Sequence, residues 1–393
     1  LTNADDFTAT GAVTVATFTQ TAGQGTSTFN GLLTANGSPG DINLAGNAVT
    51  FNAGVTTLNG GILSVTSSGA LTIANTGLSL DGAFTKLGAG NTVLGANITT
   101  SNDDITFGGA GAVSLTAAST LSAGTGTISI GAADLDGNNF TLAGDEIDFT
   151  GAADTVVGNG SGTLTLRGGS AGTTIGVLDA ASTLELSASD LAALSDEVAA
   201  SIVIGGAGVS GDITIASAVA FRDAVTFQTT GGISVGGLIT GSNADSGVTI
   251  DGGTVDLAAG ITTQGAAVSI TGATTLSADS TIDTTNAGSA AAGANITLNS
   301  AIDSASAGSN TLSLESGSAG DITLAAVGAT TRLGGFEILG ANDVTAQGIR
   351  ATVINNTVAG TATYSGALDT TGLAGITLSG AGGHDLAGGA TTT

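Results

Sequence analysis

Between Asp212 and Ile270 six short apolar-x-apolar pairs recur: Ile213/Ile215, Val225/Phe227, Ile233/Val235, Val248/Ile250, Val255/Leu257 and Val268/Ile270. Strand side chains alternate between faces, so each pair places two apolar groups on the same side of a short strand. Every second pair falls 20 to 23 residues further on, as from 213 to 233 and from 225 to 248. Gly, Asp, Asn and Ser fill the intervals. A repeat of this length, built from short strands and turns, defines a solenoid, because one such unit cannot bury its apolar face except against its neighbours.

The pattern extends over most of the chain. It begins with Val13/Val15 and becomes regular from Asp41 through Ile42/Leu44, Val49/Phe51, Leu63/Val65 and Leu71/Ile73. It continues to Ile376/Leu378. Many neighbouring pairs start seven or eight residues apart, as 63 and 71 do, which leaves room for one short strand and one tight turn. Gly-Asp-Ile recurs at 40–42, 211–213 and 320–322, where Gly accommodates the corner and Asp is expected to bond local backbone amides. The expected fold is therefore all-β, a right-handed parallel β-helix of about 20 residues per coil. At that length the chain makes roughly 19 coils, which at ~4.8 Å each would span ~90 Å.

One continuous solenoid over 1–393 is expected, as a piece of a longer chain, with 1–40 less regular and 380–393 a frayed tail. The segment Ser187–Ser201 departs from period two. Leu191, Leu194 and Val198 are spaced as on a helix, and Ser189 or Asp190 can cap it, which predicts a short helical or looped excursion near 187–200. A second irregularity is expected at 332–354, where a Gly-Gly pair lies close to Arg332, Phe336 and Arg350.

Composition excludes several functions. Gly makes up 66 of 393 residues but Pro only one, so neither collagen nor a proline-rich linker fits. Charged residues are 9% and hydrophobic ones 41%, the reverse of a disordered chain. The 31 acids outnumber five bases, for a net charge of −26, so nucleic acid and anionic membrane surfaces are not expected partners. No cysteine is present, which removes disulfides, thiol nucleophiles and Cys-based zinc sites. No apolar run approaches the ~20 residues needed for a transmembrane helix.

The strings LTLRGGSAGTTIGVLDAASTLELSASDLAALSDEVAASIVIGG, GDITLAAVGATTRLGGFEILGANDVTAQGIRAT and ANITLNSAIDSASAGSNTLSLESGSAGDITL resemble the repeats of large bacterial surface proteins of the filamentous-haemagglutinin type. The resemblance is one of repeat style and is best over about 140–350. It implies a right-handed parallel β-helix, export across the outer membrane, and a role in adhesion or in the surface coat. The Asn-Pro motifs of that family's secretion domain have no counterpart in Ser38-Pro39-Gly40.

Chemistry-bearing residues are sparse. Parallel β-helices include polysaccharide lyases and hydrolases, which need clustered carboxylates with a base. Asp145, Glu146 and Asp148 lie close in sequence, but Trp is absent and Tyr364 is the one Tyr, so a sugar-binding aromatic platform is not expected. The chain is read as non-enzymatic. His384 is expected to be an exposed tail residue. For metal, Asp134, Asp136 and Asn138 form one carboxylate/amide group and Asp245 with Asp251 another, the ligand types a hard cation such as calcium takes. The same residues also suit plain turns, and EF-hand spacing is missing. No other cofactor is expected. The expected function is a structural element of an extracellular or cell-surface adhesin, coat or filament. Its partners would be further copies of itself, end to end or side by side, or host and cell-surface glycans. A polysaccharide-binding or polysaccharide-cleaving β-helix is the alternative.

Overall fold

The computed structural model describes residue 1 and residues 5–392. The chain folds as an all-β parallel solenoid of about 18 turns with ~22 residues per turn and almost no helix. Contacts divide it into two compact units, Leu1–Ile175 with Ala180–Gly205, and Gly176–Asp179 with Gly206–Thr393.

In the first unit most apolar pairs become strands of three to five residues whose period-two side chains alternate between buried and more exposed, while Ile128/Ile130, Phe140/Leu142 and Ile147/Phe149 lie in the longer strands Ser119–Ile130 and Phe140–Phe149. Residues one turn apart pair in register. One interior column runs Phe29, Phe51, Ile73, Leu94 and Leu115, and all five are buried. The Phe29 and Phe51 rings stack at 5.4 Å. Burying one such side chain contributes about 1.5–3 kcal/mol, and each does so only because the next turn covers it. In the second unit a longer column runs Phe227, Ile250, Ile270, Leu298, Leu324, Ala346, Tyr364 and Leu386. Residues 7–40 enter this scheme as well: Phe7–Ala9, Val13–Val15 and Phe18–Gln20 pair with strands 20 or 24 residues on.

Corner carboxylates act across turns. The Asp212 carboxylate accepts the Gly232 backbone N–H at 2.7 Å, Asp41 that of Ile62 at 3.1 Å, and Asp321 that of Asp343 at 3.1 Å. These three belong to the Gly-Asp-Ile repeats, so the expected local bonds are replaced by bonds to the next turn. The same tie recurs away from the motif, from Asp104 to Thr127 and from Asp279 to Thr311, both at 2.8 Å. The physical reason is proximity: stacking brings the corner of the next turn within one inter-strand spacing, where its N–H has no strand partner.

The excursion near 187–200 contains a helix, Ala188–Ala193, of six residues. Its N-cap is Ser187, not Ser189 or Asp190. Asp190 is instead the N3 residue of a capping box, returning a bond to the Ser187 N–H. The expected irregularity at 332–354 is two long strands, Leu333–Gly340 and Ile349–Thr357, with the short strand Val344–Ala346 between them. The glycines there mark close packing rather than a chain break. A methyl at Gly335 would come within 2.8 Å of Thr311 Oγ1 in the neighbouring strand. In the tail, His384–Leu386 and Ala390–Thr392 are strands paired to Ala362–Tyr364 and Leu368–Thr370; Thr393 lies outside the described residues.

Candidate functional site

The residues expected to bind metal sit in turns. In the first unit Asp134 ends a two-residue strand, and its carboxylate accepts the Asp136 N–H at 3.0 Å. Asp136 adopts φ +46. The Asn138 side-chain amide donates to the Leu135 carbonyl at 3.1 Å and to the Asp136 carbonyl at 3.4 Å. In the second unit Asp245 is exposed in a turn where Asn243 and Ser246 bond each other. Asp251 accepts the Gln228 side-chain amide at 2.9 Å. No group of three or more His, Asp or Glu suited to hold a metal ion occurs among the described residues.

A carboxylate patch that sequence spacing only half reveals lies in the first unit. Glu146 and Asp148 alternate with the buried Ile147 and Phe149 along the strand Phe140–Phe149. The strand Leu184–Leu186 brings Glu185 beside them, and the excursion brings Asp190. Asp190 is 4% exposed and its carboxylate accepts the Phe149 N–H and the Ser187 N–H, each at 2.9 Å. Burial pushes the Glu146 carboxyl above its ordinary range, with the charges of Asp190, Glu185 and Asp148 adding to it and the Glu185 N–H opposing. Partial desolvation, then the Asp190 charge, raises Asp148. Asp190 came close in space through the chain excursion, a contact across 41 residues that no local pattern marks.

Two basic sites are structural in form. Lys86 is 2% exposed, stacked in register between Val65 and Phe107. Its ammonium donates to the Leu87 and Gly90 carbonyls at 2.8 and 3.0 Å, and burial lowers its pKa. In the second unit Arg332 and Arg350 converge on Asp369, at 2.5 and 3.4 Å. Burial alone would raise the Asp369 carboxyl, but the hydrogen bond and charge of Arg332, then those of Arg350, hold it below its ordinary range. His384 is half-buried, against the expectation of an exposed tail residue, and stacks on Tyr364 with ring centroids 6.4 Å apart.

A groove of about 600 Å³ belongs to the second unit. The register that stacks the turns also builds its floor: Asp283 faces Glu315, and Glu315 faces Gly340. Val358 and Gly380 follow on the next turns, adjoining the register pairs Ile338 with Asn356 and Thr357 with Ser379. The excursion after Asp283 supplies a wall with Ala287 and Ala291. Asp283 holds that wall by accepting the Thr285 N–H at 2.7 Å and the Ala287 N–H at 2.8 Å. Gly340 leaves room for the Glu315 carboxylate, since a methyl group on it would come within 2.5 Å of Glu315 Oε1 and push that side chain aside. Burial raises the Glu315 carboxyl, the Gly317 N–H opposes, and the Asp283 charge raises it further.

Repeating strands, shared interior columns and corner ties define a β-helix repeat protein. No family model matches the chain, and no curated protein or solved structure matches it either. No helix among the described residues is long and apolar enough to cross a membrane.

Proposed function

We propose that the chain is a non-enzymatic, extracellular structural element of a bacterial surface adhesin, coat or filament. The observation that carries this reading is the use to which the chain puts its polar residues. Corner carboxylates bond backbone amides of the next turn, and Asp190 is taken up by the excursion it anchors. Side chains that in an enzyme would converge on a substrate are spent on holding turns together. The resemblance to filamentous-haemagglutinin-type repeats supports the same reading. So does the net charge of −26, which keeps a repetitive surface soluble and discourages unspecific lateral clumping. Tyr364 is fully buried and Trp is absent, which disfavours a polysaccharide-cleaving groove lined with aromatic platforms. Partners of such an element would be copies of itself or surface glycans.

The test is protease shaving and antibody labelling of intact source cells. The expected result is labelling without permeabilisation and release of fragments into the medium. Signal only after lysis would overturn the extracellular assignment. Negative-stain microscopy of the purified protein then separates a filament-forming element from one that stays single.

A further inference from the structure

The geometry points to the groove of the second unit as a docking site for an extended polypeptide segment that carries a Lys or Arg side chain two or three residues from an aliphatic one. The groove is two-ended. Asp283 and Glu315 lie on successive turns at one end. Leu339, Val358, Ala359 and Ala381 line the other, and no Lys, Arg or His lines any part of it. Leu339 is 50% exposed although it is a large aliphatic side chain beside a concavity. Glu315 accepts the Gly317 N–H through Oε1 at 3.1 Å, and its Oε2 has no donor among the described residues. A half-buried carboxylate beside a second carboxylate is a place where an incoming cation gains from both charges.

Spacing selects the occupant. From Glu315 to the turns of Leu339 and Val358 is one and two inter-turn steps, about 5 and 10 Å, and an extended peptide covers those distances in about two to three residues at ~3.3 Å each. The groove is open to solvent along its length, so a small amine would leave most of its surface wet, whereas a chain laid along it covers the apolar end as well. The surplus of acids over the five bases steers a basic segment toward this protein. The groove would receive such a segment whether or not the solenoid is a surface scaffold.

The experiment is an amide-resolved NMR titration of the full chain with a capped pentapeptide, Thr-Lys-Thr-Leu-Thr. Two controls accompany it, the same peptide with Gln for Lys, and n-hexylamine. Shifts are expected at Gly317, Gly340 and Gly380, with the Gln peptide weaker by about fivefold or more, the scale of one partly buried ion pair. Glu315→Gln and Leu339→Ser should each weaken the Lys peptide about threefold or more, with the remaining spectrum unchanged. Equal binding of the Lys and Gln peptides would overturn the inference, as would shifts scattered over surface acids or two variants that bind like the parent. Hexylamine binding as tightly as the peptide would overturn the polypeptide as occupant.

Discussion

Asp190→Ala removes one side chain that performs two tasks, and the two can be measured apart. The carboxylate accepts the Phe149 N–H on the sheet and closes the capping box at Ser187. A buried N–H left without a partner costs about 1–3 kcal/mol, and loss of a cap about 1 kcal/mol. Against this stands the relief of repulsion with Glu146 and Asp148, which Asp190 helps to raise. Across a partly wet surface that relief is worth less than about 1 kcal/mol. The loss wins, and the first unit should be destabilised by about 2–4 kcal/mol. Hydrogen exchange of the intact chain reads this directly: protection of the Phe149 amide and of 187–194 should fall by about 30-fold or more. Ser187→Ala, which removes only part of the cap, should lower protection of 187–194 while leaving Phe149 within a few-fold of the parent. Equal loss at Phe149 in both variants, or no loss in Asp190→Ala, would refute the reasoning. The pH dependence carries a sign as well. The raised carboxyls of Glu146 and Asp148 bind protons more tightly folded than unfolded. Their contribution to stability is therefore greatest in mild acid and falls as pH rises from about 4 through their folded values. Asp190→Asn should flatten that fall.

Lys86→Met should destabilise the first unit by about 1–3 kcal/mol at neutral pH, because two carbonyls lose a charged donor, as urea unfolding would show. The lowered Lys86 pKa makes the parent gain stability as pH rises from its folded value toward about 10.4, and the variant should lack that gain. Asp369→Asn should lower the melting temperature at neutral pH. The difference from the parent should vanish as acid protonates Asp369, since a depressed carboxyl contributes its stability above the unfolded value near 4 and loses it through the folded one. Phe336→Ala, at a fully buried position paired with Leu312 and Ile354, should cost about 3–5 kcal/mol in denaturant unfolding, and a loss under 1 kcal/mol would contradict its place in the interior.

Period two was enough to say which side chains enter the interior. Ile213 and Ile215 are buried and Thr214 is not, because alternation on a strand is a local property of the backbone. Recurrence of such pairs was enough to say that strands stack, because no single pair has a core of its own. What stacking then brings together was not local. Asp212 finds its partner at Gly232, and Asp190 reaches Phe149 across 41 residues. The cap at Ser187 was missed for the same reason: Ser189 and Asp190 are equally good caps by residue type, and only the side-chain bonds of Asp190 to Ser187 place the helix start two residues earlier. Nor could the sequence show that Asp283, Glu315 and Gly340 share one groove, since the intervals of 32 and 25 residues differ from each other and from the mean turn. Alternation is written into every residue; register across turns depends on how much chain each corner takes up, and only the folded molecule decides that.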